Sequence, residues 1–160
     1  MTDLAEVEDA APDAGESDRL ALVRQALEAQ GFTRLLHASV DEVAPGRVAM
    51  SVGRRPGLLQ QNGLFHGGVT AYLVDNATTA AAGTMCRPGQ RVLTAEYKLN
   101  ILAPGLGSRL ACVAEVVRPG RSLTVVEARV YDLRDEGRKL SAIALASIAI
   151  LPAAPGAGPA

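Results

Sequence analysis

The chain of 160 residues has the length of one globular domain, and an apolar content of 48% is enough to build one core. Five aromatic side chains (Phe32, Phe65, Tyr72, Tyr97, Tyr131), no Trp and a net charge of -1 supply neither the stacking platforms nor the basic balance of a nucleic-acid binder. Two cysteines and two histidines exclude a disulfide framework and a zinc cluster at ligand spacing, and no apolar run approaches the ~20 residues of a membrane span.

Residues 1–16 carry six acidic side chains and no basic one, without hydrophobic periodicity, and 152–160 (PAAPGAGPA) are of low complexity. Both are expected to be disordered tails around a single domain over 17–151. Ser17 is placed as the N-cap of a helix through Gln30, with Leu20, Val23 and Leu27 on one face and Gly31 as its stop. That helix is expected at the domain edge. The stretch His37–Arg54 alternates and is broken by Pro45-Gly46, which predicts a hairpin, and a loop over Arg55–Phe65 follows.

A long helix is predicted from about His66 to about Ala82, apolar nearly all round and therefore buried on most sides. Four strand-like runs come next, Arg91–Ile101, Ser108–Arg118, Ser122–Asp132 and Lys139–Leu151. Pro104-Gly105, Pro119-Gly120 and the polar turn Arg134–Arg138 separate them, and links this short predict antiparallel pairing of successive strands. The expected class is α+β: a curved antiparallel sheet wrapping the long helix, preceded by a short N-terminal helix.

Candidate chemistry gathers at Gln60-Gln61-Asn62-Gly63-Leu64-Phe65-His66-Gly67-Gly68 and at Asp75. Adjacent glycines at a helix start leave backbone N–H groups approachable, an anion site in outline. Asp75 lies in an apolar stretch, where a carboxylate is costly unless paired or used; a structural reading bonds it to Thr78 or Thr79. His66 is read either as a helix-start residue bonding a nearby backbone group or as a catalytic one. Gly67 and Asp75 are eight residues apart, which is ~12 Å along one helix, so they cannot both touch one carbonyl. Sharing a reaction would require two copies of the helix, antiparallel across a two-fold axis.

The pattern Gln60-x2-Gly63-x2-His66-Gly67-Gly68-x6-Asp75 resembles the PaaI-like acyl-CoA thioesterases of the hotdog-fold superfamily. The likeness continues in the run Thr94 to Gly105 and in Val117-Arg118-Pro119-Gly120-Arg121-Ser122. It implies a hotdog fold and a homodimer or dimer of dimers with the substrate between subunits. Carried over, it puts the general base or nucleophile on Asp75 and carbonyl polarisation on the Gly67 N–H of the partner copy. Gln60 helps place the carbonyl or the attacking water, Thr79 and Thr94 orient water, His66 joins the catalytic group, and Gly68 and Asn62, with Thr94, are read as substrate contacts. Many relatives with Asp at position 75 carry Asn where this chain has Gln60. Arg118 and Arg121 are read as contacts for the phosphates of coenzyme A or as solvated turn residues, with Arg54 and Arg55 as weaker candidates.

The reading implies no cofactor, since coenzyme A is part of the substrate, no nucleic acid or membrane partner, no metal, and a cytoplasmic location. A non-catalytic acyl-CoA binding module and a hotdog acyl-thioester dehydratase or hydratase are the alternatives. The first has no use for Asp75; the second would use His66 with an acidic residue. A serine hydrolase is disfavoured because no Gly-x-Ser-x-Gly occurs.

Overall fold

The apolar helix in the middle of the chain decides the architecture, because every other element is placed where it can cover it. The computed structural model describes residues 14–152. In chain order these form α1 (Ala14–Ala29), α2 (Gly31–Leu36), β1 (Ala38–Ala44), β2 (Arg47–Gly53), a 3-10 turn (Pro56–Leu58), α3 (Gly67–Thr84), β3 (Arg91–Ile101), β4 (Arg109–Arg118), β5 (Leu123–Arg134) and β6 (Gly137–Leu151). The expected tails fall largely outside the described residues. Residues 14–16 do not: α1 begins at Ala14, ahead of the predicted cap Ser17, with Glu16 in the first turn where the helix dipole favours an acid. Gly31 stops that helix and at once starts α2, which ends at His37 in the left-handed region (φ 50).

The six strands form one antiparallel sheet in the order β1-β2-β4-β5-β6-β3. Pro45 and Gly46 (φ 67) close the first hairpin as a Pro-Gly turn requires, and Gly46 N–H donates to Thr84 Oγ1 at 2.7 Å, docking the turn on the end of α3. Register shifts in the β1–β2, β3–β6, β4–β5 and β5–β6 ladders bend the strands, and the sheet curls around α3. One inward row is Met50, Cys112, Val130 and Ala142; the next is Val48, Ala114, Ala128 and Ala144. Against them α3 buries Leu73, Val74, Ala77, Ala81 and Ala82. The helix cradled by a curved antiparallel sheet is the hotdog fold.

One expected pairing is absent. The short link 102–108 does not fold β3 back on β4; β3 pairs with β6 at the sheet edge, and the link crosses the ends of β6 and β5. Leu102 and Ala103 N–H groups both donate to Ser141 O on β6, at 2.8 and 3.1 Å. Farther on, Gly107 N–H donates to Asp132 Oδ1 at 2.7 Å and Leu106 N–H to Oδ2 at 3.2 Å. Three strand spacings are ~14 Å, which seven residues span readily. Gly107 is obligatory: a Cβ there would lie 1.9 Å from Leu133 O.

Asp132 is the anchor of this crossing. Its carboxylate is 0% exposed and also accepts from Arg134 Nε at 2.7 Å. Burial by itself would push its pKa up, but the bonds from Gly107, Arg134 and Leu106 hold it below the ordinary value. Because the folded-state value is depressed, this stability is present above the unfolded pKa near 4 and is lost as pH falls through the folded value. Asp132→Asn is therefore expected to destabilise the protein by about 2 kcal/mol at neutral pH. Denaturant titrations should show the gap between variant and wild type narrowing from about pH 5 downward.

Candidate active site

α3 carries the two groups of candidate residues at different heights. Asp75, in its third turn, is half-buried rather than sealed in the core. Its Oδ1 accepts from Thr94 Oγ1 at 2.6 Å, and Thr94 Oγ1 lies 2.7 Å from Thr79 Oγ1. A hydroxyl has one proton, so with Thr94 donating to Asp75 the proton between the threonines comes from Thr79. The chain is thus directional, Thr79 to Thr94 to Asp75, and it ties α3 to β3. The β3 register shift between Thr94 and Glu96 lies beside this contact. Thr78 has no part in it; its hydroxyl donates to Val74 O at 2.8 Å within the helix. No cation forms an ion pair with Asp75 among the described residues.

Asp75, Thr79 and Thr94 stand on the wall of a cleft of about 510 Å³, whose other walls are mainly apolar: Val23, Ala26 and Leu27 of α1, with Phe32 and Val92. The contribution of α1 was not foreseen. Its Leu20/Val23/Leu27 periodicity reads equally well as packing at an edge, and only the position of α1 alongside α3 makes Val23 and Leu27 a lining. Phe32 is steadied by edge contact with Tyr72, ring centroids 5.2 Å apart at 87°, and Tyr72 Oη donates to Thr33 Oγ1 at 2.8 Å.

The second group sits at the start of α3. His66 is the N-cap in extended conformation (φ -66, ψ 138), and its Nδ1 accepts from Gly68 N–H at 2.9 Å. One of the two glycine donors is therefore already engaged, and so is that face of the imidazole. Gly67, the first helical residue, is exposed and its N–H has no intrahelical acceptor. Gln60 and Asn62 lie on the tight loop that precedes α3, closed by Gly63 (φ 75), whose N–H donates to Gln60 O at 2.9 Å, while Gln60 N–H donates to Leu64 O at 2.8 Å. None of Gln60, Asn62, His66, Gly67 or Gly68 lines the Asp75 cleft of the same chain. Eight residues of unbroken helix keep Gly67 and Asp75 ~12 Å apart.

Arg118 and Arg121 are exposed at the β4–β5 turn. Register places that turn at the Thr94 end of the sheet, since Thr94 pairs with Ile148, Ile148 with Thr124, and Arg118 with Val125. Arg54 and Arg55 are instead loop fasteners. Arg54 donates to Gly63 O and to Leu106 O (3.2 Å) and stands 5.8 Å over the Phe65 ring, and Arg55 donates to Leu35 O. Cys112 is not a nucleophile: burial pushes its thiol up to about 12.

Residues 62–138 match the model of the thioesterase superfamily. A solved structure of a thioesterase family protein from Silicibacter pomeroyi aligns with a TM-score of 0.81 at 36% identity, covering 86% of this chain and 99% of that one. A 1,4-dihydroxy-2-naphthoyl-CoA hydrolase of Listeria monocytogenes is 26% identical over 120 residues, 75% of this chain and 95% of that protein. The PaaI protein of the Escherichia coli phenylacetic acid degradation operon shares the fold, with a TM-score of 0.74 at 16% identity over 87% of this chain and 96% of that one. No helix among the described residues is long and apolar enough to cross a membrane.

The capping geometry of His66 separates a structural contribution from a chemical one. His66→Ala is expected to lower stability by about 1 kcal/mol, whereas His66→Asn, whose side-chain oxygen can take the same N–H, should recover most of it. Thermal unfolding of the two variants measures the difference.

Proposed function

The chain belongs to the thioesterase superfamily, and from that premise we propose that it hydrolyses acyl-CoA thioesters to the free acid and coenzyme A. The observation that carries the reading is Asp75, a half-buried carboxylate with one side-chain donor, standing on the wall of a mainly apolar cleft. An ionised carboxylate has acceptor sites on both oxygens, so one bond to Thr94 leaves it able to take a proton from water or to attack a carbonyl. In either route an oxygen adds to the thioester carbon, the C–S bond breaks, and the thiolate leaves as coenzyme A. Water is the co-reactant, and coenzyme A enters as part of the substrate.

Gly67 N–H stabilises the carbonyl oxygen of a substrate held at the Asp75 of a second copy, because the rigid spacing on α3 denies it its own. Two α3 helices antiparallel across a two-fold axis satisfy this, and β3, an edge strand, is available to join two sheets. Gln60 and Asn62 then face the carbonyl or the attacking water across the subunit boundary. Thr79 and Thr94 hold the Asp75 carboxylate, His66 and Gly68 shape the helix start, and Arg118 and Arg121 meet the coenzyme phosphates.

Thiol release from a panel of acyl-CoA thioesters tests the activity directly. Asp75→Asn, nearly isosteric, should leave folding intact and cut turnover by ~10²-fold or more; activity within a few-fold of wild type would remove Asp75 from the chemistry. The composite site has its own test. Asp75→Ala and Gly67→Pro chains, each dimeric and nearly inactive alone, should regain ~a quarter of wild-type activity when mixed by refolding, because ~half the dimers are mixed and hold one intact site of two. Verified mixed dimers without activity would mean that each site is built within one chain.

A further inference from the structure

The cleft beside Asp75 does not end with the residues around it. α1 runs antiparallel to α3: Arg19 Nε near its start donates to Thr84 O at 2.7 Å, while Gln30 just past its end lines the cleft with Asp75. A second groove of about 420 Å³ lies farther along the same helix pair, and it shares Val23, Ala26, Gly83 and Val92 with the first. The two meet at Gly83. A Cβ added there would rest 3.7 Å from Val92 Cγ2 and 3.9 Å from Val23 Cγ2, so packing does not demand glycine, but a longer side chain would stand in the passage.

The composition of this trough is uneven along its length. Among the described residues, Asp75 is the one charged side chain lining the first cleft, and charge returns in the second groove at Asp18, Arg19, Arg87 and Arg91. Leu93 (59% exposed) and Phe32 (55%) stand on the walls of the first cleft, and Leu22 (64%) on those of the second. From Asp75 to Gly83 the path is ~12 Å. Exposed apolar walls over such a length suit an extended hydrocarbon better than a compact ring.

We infer that the acyl group of the substrate is an extended aliphatic chain that lies in this trough between α1 and α3, with its carbonyl at Asp75 and its tail passing Gly83. The inference rests on the thioesterase reading above and deepens it: α1 and Gly83 set the acyl length that the site accepts. Each methylene kept out of an apolar groove weakens binding about fourfold, so a side chain that blocks the passage selects against long chains.

Two variants narrow the trough from opposite walls, Gly83→Leu from α3 and Ala26→Leu from α1, each checked for folding by thermal unfolding. The readout is the ratio of kcat/KM for decanoyl-CoA to that for acetyl-CoA, with benzoyl-CoA as the compact aromatic comparison. Wild type should favour decanoyl-CoA over both, and the ratio should fall about tenfold or more in each folded variant. Calorimetric titration of decanoyl-CoA into the Asp75→Asn chain, with and without Gly83→Leu, should show the same loss of affinity without turnover. If the wild-type chain hydrolyses no thioester yet Gly83→Leu still weakens decanoyl-CoA binding, the hydrolytic reading fails and the trough stands. An unchanged ratio in folded variants, binding unaffected by Gly83→Leu, or a wild-type preference for benzoyl-CoA overturns the inference.

Discussion

Burial of α3 is the constraint from which the remaining structure follows. A helix with Leu73, Val74, Ala77, Ala81 and Ala82 withdrawn from water on several sides cannot be satisfied by one flat layer. The sheet has to curl, and the register shifts in four of its ladders supply the bends. Small residues matter as much as apolar ones here. Ala77, Ala80, Ala81 and Ala82 let the inward rows of the sheet approach the helix, and Ala114, Ala128, Ala142, Ala144 and Ala146 answer them from the strands. The wrap also fixes the helix in place, so everything mounted on α3 inherits a rigid position.

Against this apolar interior, two aspartates show what environment does to one functional group. Asp132 is sealed from solvent and holds bonds from two backbone N–H groups and a guanidinium. Three donors occupy its two oxygens, and its charge is spent on holding a crossing loop over two strand ends. Asp75 has a hydroxyl on one oxygen, no paired cation among the described residues, and an open cleft in front of it. The contrast separates a carboxylate that stabilises from one with capacity left for chemistry. Similarly at the helix start, Gly68 N–H is committed to the His66 ring while Gly67 N–H is left exposed.

Much of this was legible in the amino-acid sequence, and the legible part is local. Pro45-Gly46 and Pro119-Gly120 mark hairpins because proline and a left-handed or sterically pinched glycine suit few other conformations. The apolar majority of 69–82, nine of fourteen residues, announces a mostly buried helix because little of its surface is left to meet water. Adjacent glycines after His66 and an isolated Asp75 stand out for the same reason: each is unfavourable in its setting unless the fold uses it. Asp132 gave a signal too, sharing the alternation phase of Val126, Ala128 and Val130, which places a charge on an inward face. By contrast, the start of α1 at Ala14 does carry a mark, Asp13 as a favoured cap residue with Glu16 three positions on, and the periodicity that begins at Leu20 drew the predicted start to Ser17 instead.

Sequence by itself determined the class of elements, most of their boundaries, the buried helix and the ~12 Å between Gly67 and Asp75, because propensity, turn chemistry and helical rise act between neighbours in the chain. Only the tertiary structure decided that β3 pairs with β6 rather than β4, that Thr94 reaches Asp75, and that α1 walls a cleft beside it. Those are pairings between residues far apart in sequence, settled by which arrangement covers α3 most completely and satisfies the polar groups that must cross the sheet ends. A short Pro-Gly link permits a hairpin and equally permits a crossing. Hydrogen bonds from Leu102 and Ala103 to Ser141, and from Leu106 and Gly107 to Asp132, choose the crossing, and no local pattern contains them.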